Sequence, residues 1–506
     1  MLLGLLVILV LAACLRLYGL GNASLWYDEG ASLYLSHYLA TPAALFDSTK
    51  TVEPPLNAVL TGLWAGAIGM VSASTPTDQA HDFLLRLLPC LFGILNCLLL
   101  YILTRRIYHC TRTACCAAFL FAIAPFQIYY AQELRIYSFY VTLALLAVWA
   151  TIQALDGNKR RHWALYILTL TVLMYSHYFT MWLIFSLNLI YVALLGKYRH
   201  RFWPWTIANA VLMVLLAPAL YGAFTMHAEV QGLEVPWYPN PTWKTGLITF
   251  KTFFAGYGPR AWAYGPLFLL TIALWFWGVL RPRKYDLATV VVAGLTWIPI
   301  LGCLWLWGGA DFSFYEHRLF LFSGVLAIVG VARGIILLGR PGMVGLALIS
   351  LLTLPCLADF YQGRLHPIPM HRLAMWDKVD FRDAARLMED QWKPGDRLVY
   401  TSHFSAYSMF HYLPHDQLRI GWGPEDEVDF IKTLGHEAIL REHKLMPVPK
   451  ERAIDGATRI WFLSTQGITF EWQPTTTRIR EWLDSVATAQ ERHSFPGVEL
   501  ICYVPN

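Results

Sequence analysis

Leu2-Leu-Gly-Leu-Leu-Val-Ile-Leu-Val-Leu-Ala-Ala-Cys-Leu-Arg-Leu-Tyr-Gly19, followed by Leu25-Trp-Tyr-Asp-Glu-Gly-Ala-Ser-Leu33, decides how the rest of the chain is read. The first run has the length and apolarity of a bilayer-crossing helix, which needs about 20 residues. The second run sets two adjacent carboxylates, Asp28 and Glu29, just past its end. Ionisable groups near hydrocarbon are costly to hold, so the pair admits two readings, a solvated loop or a functional site. Leu11-Ala-Ala-Cys14 has the look of a lipoprotein cleavage site. Met1-Leu-Leu-Gly4 lacks the basic start of such signals, so residues 2–19 read as an uncleaved first span.

Outward from this stretch the pattern repeats. The 506 residues are 56% hydrophobic and 14% charged, against roughly 25% charged in soluble domains. The charge deficit lies in the first 358 residues; after Asp359 charges return and no spanning run follows. The expected fold class is an α-helical polytopic membrane region, 1–358, followed by a soluble α/β domain, 359–506. A net charge of +5 is modest and is explained by loop topology, which argues against a nucleic-acid partner. Eight of nine cysteines lie in or beside apolar segments, and only Cys502 lies in the C-terminal region. That excludes a disulfide within the soluble domain.

Charge assigns the sides of the membrane. Basic clusters occur at Arg105-Arg106, Lys159-Arg160-Arg161, Lys197 to Arg201, Arg281 to Lys284 and Arg340. Acids fall in the alternate connections: Asp28, Glu29, Glu53, Glu133, Glu229, Glu234, Asp311 and Glu316. A cytoplasmic N-terminus satisfies both sets with about eleven spans, near 2–19, 83–104, 114–130, 136–155, 162–178, 179–196, 203–224, 263–280, 287–307, 317–338 and 343–358. Residues 56–72 are apolar enough to cross, but a crossing there would invert every later loop. They are short and glycine-rich, so they read as an interfacial or re-entrant helix within an outer loop, 21–82. The odd span count places the C-terminal domain outside too.

In that domain, 380–392 has a helical period and 479–486 a second one. Residues 397–401, 459–464 and 498–504 read as buried strands. The domain holds no phosphate loop, metal-spaced cysteines or nucleophile elbow, so it reads as a lid or acceptor-docking module.

Four constellations share the outer face in this threading: Trp26-Tyr27-Asp28-Glu29; Glu53-Pro54-Pro55-Leu56; Tyr129 to Ser138, with Gln132, Glu133, Arg135 and Tyr137; and His177-Tyr178 with Tyr315-Glu316-His317-Arg318. A guanidinium suits phosphate oxygens and keeps its charge, so Arg135 reads as a phosphate ligand or as a headgroup anchor. Arg318 admits the same two readings. Glu133 pairs with Arg135 or contacts an acceptor. His177 and His317 are substrate contacts or packed polar residues.

Leu25-Trp-Tyr-Asp-Glu-Gly-Ala-Ser, Glu53-Pro-Pro-Leu, Arg86-Leu-Leu-Pro-Cys-Leu-Phe-Gly with Arg105-Arg106, and Tyr130-Ala-Gln-Glu-Leu-Arg-Ile-Tyr-Ser resemble, in order and spacing, the GT-C membrane glycosyltransferases. The similarity is to the protein O-mannosyltransferase and lipid A aminoarabinose transferase group and covers roughly 1–340. Glu316-His-Arg-Leu-Phe sits where relatives show Arg-Tyr, so the arginine is kept and the tyrosine lost.

The resemblance implies an inverting transferase that takes a sugar from a polyprenyl phosphate to a hydroxyl on the outer face. It points to Asp28 as base, Glu29 as its helper and Arg135 as the donor-phosphate ligand, with Arg318 a second one. Glu53, Gln132, Glu133, Tyr137, His177 and His317 are then expected substrate contacts. A phosphate leaving group is stabilised by fixed cations without proton transfer, and one carboxylate suffices for a direct displacement. No metal or other cofactor is expected. The expected partners are the lipid-linked donor, a glycan, lipid or protein acceptor, and membrane lipids, and the expected site is a bacterial inner membrane with the active site periplasmic. The competing reading is a transporter or flippase. It favours internal repeats and midplane polar residues, whereas here charges gather at span ends.

Overall fold

The computed structural model describes residues 2–38, 54–70, 78–231, 240–281, 286–309, 313–364, 379–400, 403–413, 454–465 and 473–506. Glu53, Glu234 and Asp311 lie outside the described residues.

Among the described residues, seven helices are long and apolar enough to cross a membrane: Gln79–Tyr108, Tyr137–Gly157, Leu195–Phe224, Ala261–Leu280, Leu287–Trp307, His317–Leu338 and Arg340–Tyr361. Each coincides with an expected span. An eighth is the pair Thr111–Ile123 and Pro125–Ala131, bent by 63° at the break. The other expected spans appear as shorter helices, Leu2–Leu17, Arg160–Ser176 and Thr180–Ala193. At about 1.5 Å per residue, the last of these is only about 21 Å long. The helix in the 56–72 stretch is Leu56–Ala67, 12 residues, roughly 18 Å and well short of a bilayer core of about 30 Å.

The chain divides into two compact units. The first comprises Met1–Tyr18, Pro89–Tyr221 and Pro236–His366 and contains most of the apolar helices. Two local features hold it together. At the 63° break, Pro125 has no backbone N–H to continue the helix. The buried Arg16 guanidinium reaches this point and donates to the carbonyls of Phe121 (3.2 Å) and Ala122 (3.1 Å). In an apolar interior such carbonyls need a partner, and a fixed cation supplies it. Elsewhere Ala261–Leu280 crosses the 321–338 helix through glycine. A Cβ on Gly278 would lie 2.2 Å from the Gly330 carbonyl, and one on Gly334 would lie 1.9 Å from that of Leu274. Small residues let backbones approach in this way where lipid gives no hydrophobic drive to association.

The second unit comprises Gly19–Leu88, Gly222–Val235 and Pro367–Asn506. The first loop thus belongs to the same compact body as the C-terminal segment. Its sheet has the order β1-β2-β4-β3, with β1 Asp396–Tyr400, β2 Arg459–Thr465, β3 Ala487–Phe495 and β4 Val498–Pro505. β1 and β2 are parallel, and β4 is antiparallel to both β2 and β3. Val399, Ile460, Phe462, Ile501 and Tyr503 form a core with Ile479 and Leu483 of the Gln473–Val486 helix. Sequence reading finds β1, β2 and β4, which are apolar runs, but misses β3. Its Ala-Thr-Ala-Gln-Glu-Arg-His-Ser-Phe is an exposed edge with no hydrophobic alternation.

Candidate active site

Asp28 and Glu29 open the Tyr27–Tyr38 helix, where carboxylates complement the positive end of the helix dipole. The structure gives them unlike surroundings. Asp28 is half-buried. Glu29 is fully buried and faces Arg86 in a two-pronged pair, Nε to Oε1 at 2.8 Å and Nη2 to Oε2 at 2.6 Å. Arg86 also donates to the carbonyls of Leu20, Ala23 and Ser24. The Trp26 N–H donates to Glu29 at 3.3 Å. Nε is committed to Glu29, while Nη1 and Nη2 hold the backbone that leads into Asp28. Arg86 stands in one of the quoted motifs, yet no sequence signal pairs it with Glu29.

A second cluster lies in the helical unit. The turn after Ala131 is tight, with the Arg135 N–H on the Glu133 carbonyl at 2.7 Å. Gln132 donates to the carbonyls of Arg16 (2.8 Å) and Tyr18 (2.9 Å), which ties the turn to the end of the first helix. The Tyr137 ring gathers both arginines: the Arg135 guanidinium carbon lies 5.8 Å from its centroid and that of Arg318 lies 5.7 Å away. Arg318 is ion-paired with Glu316. Tyr130 packs edge-on to Tyr137 at 5.1 Å, and its hydroxyl meets that of Tyr257 at 2.8 Å. Tyr257 in turn stacks on His317 at 6.0 Å between centroids and 9° between planes. Burial raises the Tyr257 hydroxyl pKa well above its ordinary value, so the phenol stays neutral. His177 lies 6.2 Å from Tyr137, and its Nδ1 accepts from the Phe179 N–H at 3.1 Å.

Exposure separates the charges of this cluster. Glu133 and Glu316 are buried, as are Tyr137 and His317, whereas Arg135, Arg318 and His177 keep accessible surface. The accessible part is therefore cationic, with an aromatic floor. That suits an anionic group such as a phosphate, because a guanidinium fork makes charge-assisted, two-pronged hydrogen bonds to phosphate oxygens. Residues far apart in sequence, Arg135, His177 and Arg318, thus meet around the Tyr137 ring. Tyr257, in the Gly256-Tyr-Gly-Pro turn, is a member that sequence reading misses; its only signal is that turn, where Gly256 has a φ of +67°.

The comparisons agree with this architecture. The family model described as dolichyl-phosphate-mannose-protein mannosyltransferase matches residues 70–221. No curated protein matches by sequence. Among solved structures, ArnT from Cupriavidus metallidurans in the apo state superposes with a TM-score of 0.61 at 12% identity, covering 98% of this chain and 97% of that one. The same protein bound to undecaprenyl phosphate gives 0.54 at 12% identity, with the same coverage. The oligosaccharyltransferase AglB from Archaeoglobus fulgidus, in complex with an inhibitory peptide and a dolichol-phosphate, gives 0.52 at 13% identity, covering 100% of this chain and 74% of that one. The chain is a membrane protein with the fold of the GT-C superfamily of glycosyltransferases.

Proposed function

We propose that the protein is an inverting glycosyltransferase that moves a sugar from a polyprenyl phosphate to a hydroxyl acceptor at the periplasmic face of a bacterial inner membrane. In this reading Asp28 takes the proton of the acceptor hydroxyl as its oxygen attacks the anomeric carbon. The bond from that carbon to the phosphate oxygen breaks, and the polyprenyl phosphate leaves with the electron pair. One new bond on the opposite face of the sugar gives inversion.

Arg135 and Arg318 are assigned to the donor phosphate, where fixed positive charge counts most as the leaving group gains negative charge. The observation that carries the reading is their convergence on the Tyr137 ring with accessible surface. Glu316 holds Arg318 in an ion pair, Glu133 is assigned to position Arg135 through the turn they share, and Tyr137, His177 and His317 line the same cluster. Glu53 remains a proposed acceptor contact. Gln132 is proposed as a latch on the turn, since its amide already serves two carbonyls. Glu29 is proposed to orient Asp28 and not to share its chemistry, because Arg86 occupies both of its oxygens. The reaction needs no metal in this scheme, the two guanidiniums supplying the charge. The carrier complexes of ArnT and AglB support a lipid-phosphate donor by analogy of fold.

The test is transfer of labelled sugar from polyprenyl-phosphate mannose, and from the corresponding aminoarabinose lipid, in membranes carrying the protein. Asp28→Asn is expected to abolish transfer with donor binding retained. Full transfer by Asp28→Asn would refute the assignment of the base.

A further inference from the structure

The segment that follows the helical region is not separate from the first loop. Two short stretches of it, 379–382 and 403–412, grip residues 21–34 and Asp82. The Tyr412 hydroxyl accepts from the Leu25 N–H at 2.6 Å and donates to Asp82 at 2.8 Å. Asp82 is fully buried, and Arg382 donates to the same Asp82 oxygen at 2.6 Å. The Arg382 fork also reaches the carbonyls of Gly21 (3.1 Å) and Asn22 (2.6 Å). His411 stands 3.5 Å from the other Asp82 oxygen. Ser24 donates to the Val379 carbonyl at 2.5 Å and accepts from the Phe381 N–H at 3.0 Å. Phe381 lies edge-on to Tyr27, 5.3 Å between centroids, and Tyr407 packs on Tyr34 at 4.8 Å.

These contacts bracket Asp28 on both sides in sequence. They include hydrogen bonds made away from water, where each is electrostatically stronger than it would be in solvent. Burial and the Asp82 carboxylate raise the Tyr412 hydroxyl pKa well above its ordinary value, so it remains a neutral donor. A lid or docking module needs no such grip on the loop that carries a candidate base.

We propose that Tyr412, Asp82 and Arg382 form a clamp through which the C-terminal segment positions Asp28, making Tyr412 a positioning residue for the transfer reaction. The proposal rests on the reading of Asp28 as the base. A displacement of about 1 Å at a reacting group costs up to about 100-fold in rate, so the clamp acts on turnover and not on donor binding.

The experiment uses the full-length protein in membranes and compares wild type, Tyr412→Phe, Ser24→Ala and Asp28→Asn with polyprenyl-phosphate mannose and the aminoarabinose lipid as donors. Tyr412→Phe is expected to lower kcat by about 10- to 100-fold with the donor KM unchanged within about twofold. Hydrogen exchange is expected to rise over the Tyr27–Tyr38 helix and not in the apolar helices. Wild-type kcat in Tyr412→Phe would overturn the proposal. So would kcat and KM moving together, or loss of the folded protein in both Tyr412→Phe and Ser24→Ala, since either outcome assigns the contacts to general support of the fold. Full transfer by Asp28→Asn would instead refute the base itself. The exchange readout still tests the clamp in that case, because it does not depend on activity.

Discussion

Glu29 and Arg86 form a buried, two-pronged ion pair in which neither side chain reaches solvent. A pair this dry is costly to break from one side, because the remaining charge is left buried and uncompensated, at about 3–5 kcal/mol. Replacing both partners with apolar groups of similar size is much less costly. Glu29→Ala is therefore expected to lower thermal stability and yield in membranes severely, and Arg86→Met to do the same. The double change to methionine recovers only the part due to the uncompensated charge, because the carbonyls of Leu20, Ala23 and Ser24 still lose their donor. The measurement is thermal unfolding of the detergent-purified variants. Wild-type stability in Glu29→Ala would show that the pair does not organise the first loop.

Arg135 and Arg318 share the ring of Tyr137 and the accessible surface of their cluster. A hydrogen bond to a charged group contributes about 1.5–3 kcal/mol, which is roughly 10- to 150-fold. Arg135→Ala and Arg318→Ala are each expected to lower kcat/KM for the lipid-linked donor by that order. Lysine, a point charge without the planar fork, restores only part of it. Steady-state kinetics with varied donor measure this. An unchanged kcat/KM in both alanine variants would remove the arginines from the donor site.

Much of the fold is legible in the sequence, because membrane spans are selected by one physical quantity, uninterrupted apolar length. Seven expected spans appear, five of them within three residues of their expected bounds. The remainder fall short where a second effect intervenes, such as Pro125 at the break of Thr111–Ile123. The site is legible only as a set of residue types. Glu133, Arg135, Tyr137, Glu316 and Arg318 can be marked as candidates from charge placement and from the resemblance, but the convergence of Arg135 and Arg318 on the Tyr137 ring depends on tertiary packing. Pairs such as Asp82 with Arg382 lie 300 positions apart and carry no local signal. The resemblance ranks Asp28 above Glu29 as the base, but residue type alone does not separate them, since neighbouring helix positions point to different sides and only the partner, Arg86, says which side is buried.

Asp396 gives the C-terminal sheet a defined response to acid. Burial of its carboxyl raises the pKa, but donors from Arg459 (3.0 and 2.7 Å), the Lys393 N–H (3.0 Å) and Trp461 (2.9 Å) outweigh this and hold it below the ordinary carboxylate value. A depressed folded-state pKa contributes stability that is present above the unfolded value of about 3.9 and is lost as pH falls through the folded one. Asp396→Asn is thus expected to lower Tm at pH 6, with the gap to wild type shrinking towards pH 3. Thermal scans across that range check the sign. A gap that widens on acidification would contradict it.

The threading by charge makes a labelling prediction. With a cytoplasmic N-terminus, Ala80 belongs to the first outer loop and Lys159 to a basic inner connection, and both side chains are exposed. In a cysteine-depleted background, Ala80→Cys is expected to react with a membrane-impermeant maleimide added to intact cells. Lys159→Cys reacts only after the membrane is opened. Reversal of the two would place the Asp28 loop on the cytoplasmic side.

Gly30 offers a test of how closely the first loop is packed. In a helix interior, glycine-to-alanine exchange ordinarily stabilises by about 0.5–1 kcal/mol. Gly265, inside Ala261–Leu280, has open space where a Cβ would stand, so Gly265→Ala is expected to be neutral or mildly stabilising. Gly30 lies one turn into the helix that carries Asp28, and its would-be Cβ meets the Ser408 Oγ at 2.4 Å, its backbone N at 2.8 Å and its Cα at 2.9 Å. The hydroxyl can turn away, but the backbone of the His403–Tyr412 helix cannot without loosening Tyr412 and Tyr407. The helix-propensity gain is then outweighed, and Gly30→Ala is expected to lower both Tm and kcat while Gly265→Ala lowers neither. Measured side by side in one detergent, the two alanines separate a packing effect from a propensity effect. A Gly30→Ala variant at least as stable and as active as the wild type would mean that the two helices are not in the contact described.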